Sequence, residues 1–317
     1  MSSKIHQLSK FPAFVWSEEV IGAMLVSLRK KQEMVLNKMS QVPDELKKEA
    51  SSLVHRLDVL ANIDIEEKTT NFETFLSIFG QKNAFFVQNH SILTDSTQNY
   101  HLPLTKERLA NWHSLIGTEN TIFAEPTLNQ FLAWFNKPGL DRQLKAAIAH
   151  LWFVSISPSN KGNGFIARLI TNMQLAKADG THFKYYSLCA QLLKEQRDYQ
   201  FILEQAQRGS LDITIWLQWF LNCLGSAYDA SEKLLAPIIK KDRFWKKHQS
   251  IVFNKSQKQM LTILLNGFDE KLNTSTYARI TNCSRDTALR DVNYLLEKNI
   301  LIKRAGLGKN TNYSLQF

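Results

Sequence analysis

The residues best suited to chemistry in this 317-residue chain lie between His150 and Leu169, in the run HLWFVSISPSNKGNGFIARL. Gly162, Asn163 and Gly164 stand directly before an amphipathic pattern of helical period that starts at Phe165. Glycine tolerates positive φ and lets a backbone approach a ligand closely, while the free N–H groups and the dipole at a helix start favour an anion. Lys161 and Arg168 flank that start, so these residues suit a phosphate held without a metal. An ordinary corner between two helices satisfies the same residues. Cysteine chemistry is not expected: Cys189, Cys223 and Cys283 form no CxxC pair and no even disulfide framework, which argues for a reducing compartment and against zinc.

Helices must position that corner. Val20, Met24, Leu25 and Leu28 recur at three- and four-residue spacing within a helical stretch over 17–60, and Leu128, Phe131, Leu132 and Phe135 repeat the spacing up to a break at NKPG. Asp141 opens a helix through Ala146, Ala147 and His150, and Pro158 stops it. A helix is expected over 185–207, broken by Gly209, and Trp216, Phe220, Cys223 and Leu224 mark the apolar face of the next. Strand alternation is absent from these stretches, so the fold class is all-α, mainly helical. The most apolar run, Ala146 to Ile156, falls far short of the roughly 20 residues of a membrane span, and the start resembles no secretion signal. A soluble, cytoplasmic protein without a membrane partner is expected.

Charge divides the chain unevenly. Of the net +10, the segment from Lys240 to Phe317 carries +9, from 15 Lys and Arg against 6 Asp and Glu. A basic module on a neutral body suits a polyanionic partner, though a lysine-rich solvated face has the same composition. The module reads as three helices and a hairpin. Met260, Ile263 and Leu264 mark the first helix; Tyr277, Ala278 and Ile280 the second; Ala288, Leu289, Val292, Leu295 and Leu296 the third, with Ser284 as its N-cap. Ile300 to Lys303 pairs with Tyr313 to Leu315 across a loop holding Gly306 and Gly308. This is the layout of a winged helix–turn–helix, whose third helix enters the major groove of duplex DNA. Arg285, Thr287 and Arg290 are its candidate DNA-binding residues on that helix, and Lys303, Arg304 and Lys309 those on the wing. Asp286 and Asp291 dilute the positive helix. Docking to a protein partner or to a second copy is the competing use.

The segment AAIAHLWFVSISPSNKGNGFIARLI also resembles the core motif of the Fic family, HxFx(D/E)GNGRxxR, and the likeness extends from about Phe11 to the end of the chain. The resemblance implies a Fic-like helical core over 86–239, an N-terminal helical region over 1–85 and a winged helix over 240–317. It also implies ATP and magnesium as cofactors and AMP transfer to a protein hydroxyl. Pro158, Gly162, Asn163, Gly164 and Arg168 match the motif. The departures are decisive: Ser157 takes the place of the catalytic histidine, Ser159 that of the phenylalanine, Lys161 that of the metal-binding acid, and Phe165 that of the first arginine. A serine hydroxyl is no general base, and an ammonium repels the magnesium that a carboxylate would hold. The resemblance aligns the family's inhibitory motif with Leu60 to Ile65, leaving Asp64 as the acid that would face Arg168. The expectation is a degenerate Fic-domain regulator that binds DNA or a partner and retains at most nucleotide or anion binding. An enzyme that transfers AMP by an altered route is the rival.

Overall fold

The computed structural model describes residues 4–67, 84–116, 125–157, 162–304 and 311–316. These divide into two compact units, Met1–Leu235 and Ala236–Phe317. The division falls shortly before Lys240, and the two parts expected over 1–85 and 86–239 belong to one unit. Among the described residues the fold is mainly helical, with one two-stranded antiparallel sheet. No helix there is long and apolar enough to cross a membrane.

In the first unit, α1 (Glu18–Ser40) begins at Ser17, whose side chain accepts from the Val20 N–H, with Glu18 and Glu19 favouring the positive helix end. Next come α2 (Asp44–Glu67), α3 (Ala84–Gln98), α4 (Lys106–Leu115) and α5 (Glu125–Asn136). Asp141 caps α6 (Arg142–Ile156) by accepting from the Gln143 and Leu144 N–H groups at 2.9 and 3.1 Å. α7 (Asn163–Asp179) ends at Gly180, in the left-handed conformation that suits a helix stop. α6 and α7 are buried on nearly every face and pack on each other more extensively than any other pair. They are the core of the unit. Each large side chain they bury, such as Phe153 or Ile170, contributes about 2 kcal/mol.

The helix expected over 185–207 is two helices, α8 (Leu188–Lys194) and α9 (Gln196–Arg208). Ser187, itself extended, caps α8 by accepting from the Ala190 N–H, and Glu195 leaves helical geometry between the two. α10 (Thr214–Lys247) follows and carries Pro237 in its interior.

α2 docks on the core with an unusual face. Ser51, His55, Asp58 and Asn62 are polar, buried and spaced three or four residues apart, so they share one side of the helix. Each finds a partner. Ser51 accepts from the Lys184 N–H at 3.0 Å, His55 meets Thr97 at 3.0 Å, and Asp58 holds both the Lys184 ammonium and the Ser187 hydroxyl. Asn62 donates to Cys189 Sγ at 3.2 Å.

The second unit contains α11 (Lys255–Leu265), α12 (Thr274–Thr281) and α13 (Arg285–Glu297), then β1 (Leu301–Arg304) paired antiparallel with β2 (Asn312–Leu315). Asn254, Asn273 and Ser284 cap the three helices through their side chains. Met260, Leu261, Tyr277, Ala288, Val292 and Leu295 fill the space between them. Leu272 bridges Tyr313, whose N–H donates to the Leu272 carbonyl at 2.8 Å, adding a third short piece of backbone to the ribbon.

Candidate functional site

The corner between α6 and α7 opens with Ser157, whose hydroxyl donates to the Phe153 carbonyl at 2.7 Å and so completes the end of α6. That hydroxyl is not activated. Pro158, Ser159 and Lys161 lie outside the described residues. Gly162 is the N-cap of α7 at φ 92°, a conformation that glycine adopts without strain. Gly164 is glycine for a different reason. A Cβ there would stand 2.9 Å from Glu66 Oε1 and 3.2 Å from Arg168 Nη1. A carboxylate from α2 thus lies against the first turn of α7, where an anion would be favoured.

Glu66 is held there by Arg168, whose Nη2 lies 2.7 Å from Oε1; the arginine side chain is 2% exposed and the glutamate side chain 31%. The Arg168 Nε–H donates to Asn62 Oδ1. The resemblance offered Asp64 as an acid able to reach Arg168, with a surface acid as the alternative reading. The ion pair is instead made by Glu66, because the inward stripe of α2 runs through residues 58, 62 and 66, and residue 64 lies roughly 200° around the helix from it. The legible signal was the polar spacing itself, Ser51-His55-Asp58-Asn62-Glu66, rather than the aligned motif.

Behind Arg168 a chain of hydrogen bonds continues into the core. Arg168 bonds the Tyr199 hydroxyl, which lies 2.8 Å from His150 Nε2, and His150 Nδ1 lies 3.0 Å from Thr171 Oγ1. Thr171 donates its own proton to the Ala167 carbonyl at 2.8 Å. His150 Nδ1 therefore carries the proton and Nε2 accepts from Tyr199. Burial and then the Arg168 charge push His150 down to about 3, which keeps the ring neutral. For Arg168, burial opposes the charge, but Glu66 and Tyr199 outweigh it and raise its pKa. Asn163 is buried at the start of α7, and Phe165, at the place of the motif's first arginine, is buried with its ring 6.0 Å from the Arg168 guanidinium carbon.

The residues expected to hold phosphate do come together, since Gly162, Asn163, Gly164 and Arg168 meet in the first turns of α7. However, an internal carboxylate already fills the seat. As they stand, they do not fit the triphosphate of ATP beside Arg168. Among the described residues no group of three or more His, Cys, Asp or Glu side chains is placed to hold a metal ion.

The second candidate site is the exposed side of α13 with its neighbouring ribbon. Arg285 and Arg290 are exposed, and Lys303 and Arg304 are exposed on β1. The Arg304 Nε–H donates to Ser314 Oγ across the ribbon at 2.9 Å. Thr287 belongs to the cap: its N–H donates to Ser284 Oγ at 3.1 Å and its hydroxyl meets the same oxygen at 2.9 Å. Lys309 lies outside the described residues. Asp291, which the sequence placed among the diluting charges, is buried. It accepts from Asn254 Nδ2 at 2.7 Å, Gln257 Nε2 at 3.0 Å and the Tyr277 hydroxyl at 3.1 Å, tying α11 and α12 to α13. Its charge is turned inward, which leaves the outer face more basic than its sequence suggests. Asn293, which sequence reasoning passed over, shares that outer face.

No family model matches the chain, and no curated protein matches it.

Proposed function

We propose that this chain is a non-catalytic helical protein, resembling the Fic family at its α6–α7 corner, that acts as a regulator by binding duplex DNA through a C-terminal winged helix. The observation that carries DNA binding is the outer face of α13. Arg285 and Arg290 stand there with no intramolecular partner among the described residues, and Lys303 and Arg304 are exposed on β1, all in the segment that carries +9. Three helices followed by an antiparallel ribbon, with Leu272 bridging Tyr313, support the winged-helix reading. Absence of AMP transfer is supported by Ser157, whose proton is engaged by the Phe153 carbonyl, and by Glu66 in the seat that a phosphate would need.

Fluorescence anisotropy of the full chain with random duplexes at several salt concentrations tests the DNA reading. Binding that weakens steeply with salt is expected, and no binding to any duplex at low salt would overturn it. Incubation with labelled ATP and magnesium tests the other half. Label incorporation that disappears in Arg168→Ala would promote the enzyme reading in its place.

A further inference from the structure

The outer side of α13 is ordered, and its exposed charges balance, Arg285 and Arg290 against Asp286 and Glu297. Asp286, Leu289, Arg290, Asn293 and Glu297 recur at three- and four-residue spacing and are all exposed, while Ala288, Asp291, Val292 and Leu295 are buried behind them. The two carboxylates stand at the ends of this stripe, and a leucine, an arginine and an asparagine occupy its middle. Leu289 is 47% exposed, an apolar side chain on a face that is otherwise polar. Arg290 and Asn293 make no hydrogen bond or ion pair among the described residues. Arg285 and Lys303 are likewise without a partner among the described residues, whereas Arg279 is paired with Glu270 at 2.5 Å, Lys298 with Glu297 at 3.7 Å, and Arg304 with Ser314.

This composition is poorly matched to a phosphate backbone, which Asp286 and Glu297 would repel and to which Leu289 offers nothing. It matches the floor of a major groove. Arginine pairs in two-pronged fashion with guanine, asparagine does so with adenine, and an apolar side chain packs on the methyl of thymine. Residues three apart on a helix are separated by about 4.5 Å along its axis, comparable to one base-pair step of about 3.4 Å. Resting on the DNA-binding reading above, we infer that α13 reads sequence, with Arg290 directed to a guanine, Asn293 to an adenine on a neighbouring base pair, and Leu289 to a thymine methyl. Lys303 and Arg304 then serve the phosphates from the ribbon.

The test uses the full chain. In vitro selection from random duplexes is expected to return sites in which a guanine and an adenine lie on adjacent base pairs. On such a site Asn293→Ala and Arg290→Ala should each weaken binding about 5- to 150-fold. Asn293→Ala should leave affinity for random duplex unchanged. Replacing the adenine by its deaza analogue, which lacks the ring-nitrogen acceptor, should weaken the wild type and have no further effect on Asn293→Ala. The deaza analogue of guanine should behave likewise toward Arg290→Ala, and uracil in place of thymine toward Leu289→Ala. All three side chains are exposed, so thermal melting should be unaltered. If selection returns no preference, or if the analogues weaken wild type and variant alike, α13 does not read bases although the chain binds DNA. If no duplex binds at low salt, both the inference and the reading beneath it fall, and the face is a docking surface for protein.

Discussion

Arg168 is a guanidinium almost wholly removed from water, and such a charge is tolerable only while its partners remain. Glu66 supplies the compensating carboxylate, and Gly164 supplies the space for it. Gly164→Ala must push the end of the Glu66 side chain aside, which offsets the gain of about 0.5–1 kcal/mol that alanine ordinarily brings to a helix, and that gain should appear once Glu66→Ala has removed the carboxylate. A double-mutant cycle by chemical denaturation measures the difference; equal effects in both backgrounds would refute the contact. The neutral histidines behind the pair make a pH prediction. His150 and His55 are each held near 3 by burial, against 6.5 in the unfolded chain. Between those values the unfolded state binds protons that the folded state does not, so their contribution is intact above pH 6.5 and lost as pH falls toward 3. Asp179, raised to about 6 by burial, works in the opposite direction, weakening the fold as pH rises from about 4 through 6. The melting temperature should fall on acidification, and His150→Gln should flatten that fall even if it lowers the whole curve. At this scale the sequence made GNG legible as a special backbone. It did not disclose that the second glycine serves an internal carboxylate, because that requires knowing which face of a distant helix arrives there.

Among the elements, α2 is the one whose attachment is least like an ordinary amphipathic helix. Its inward stripe is polar and ties into α7 and the segment before α8, through Asp58, Lys184, Asn172 and Ser187. Removing one member of a buried ion pair leaves an uncompensated charge, so Asp58→Ala should cost about 3–5 kcal/mol. Replacing Asp58 and Lys184 together by apolar residues should recover much of that loss. A double variant as unstable as the single one would show that the hydrogen bonds to Asn172 and Ser187, not the charge, matter most. A helix with a conventional apolar period, such as α5, was readable from spacing alone, and α6 from the Asp141 start and the Pro158 stop. α2 was readable as a helix but not in its facing, since a buried polar stripe looks like a solvated one until its partners are known. The same ambiguity hid Asp291, which reads as a surface acid and is the knot of α11, α12 and α13. Conversely, the single helix expected over 185–207 ignored a cap at Ser187 that its side chain can supply.

At the scale of the whole molecule the decisive asymmetry is electrostatic, and it was plain in the sequence: almost all of the net charge belongs to the last quarter of the chain. What the sequence could not separate is charge already engaged by a neighbour from charge left for a partner. Arg279 faces Glu270, and both are exposed, so its neutralisation of a phosphate would compete with an existing contact. Lys303 has no such partner among the described residues, and Arg304 meets only the neutral Ser314. Each phosphate neutralised releases counterions, and the logarithm of affinity falls with the logarithm of salt by about 0.9 per contact on duplex DNA. Lys303→Ala and Arg304→Ala should then each reduce the salt slope by about one, uniformly across duplex sequences, whereas Arg279→Ala should change it by clearly less. Anisotropy titrations of the full chain at four or more salt concentrations measure all three slopes. Should Arg279→Ala reduce the slope as much as Lys303→Ala, total charge rather than its placement would set the affinity, and the ribbon would have no special part in binding.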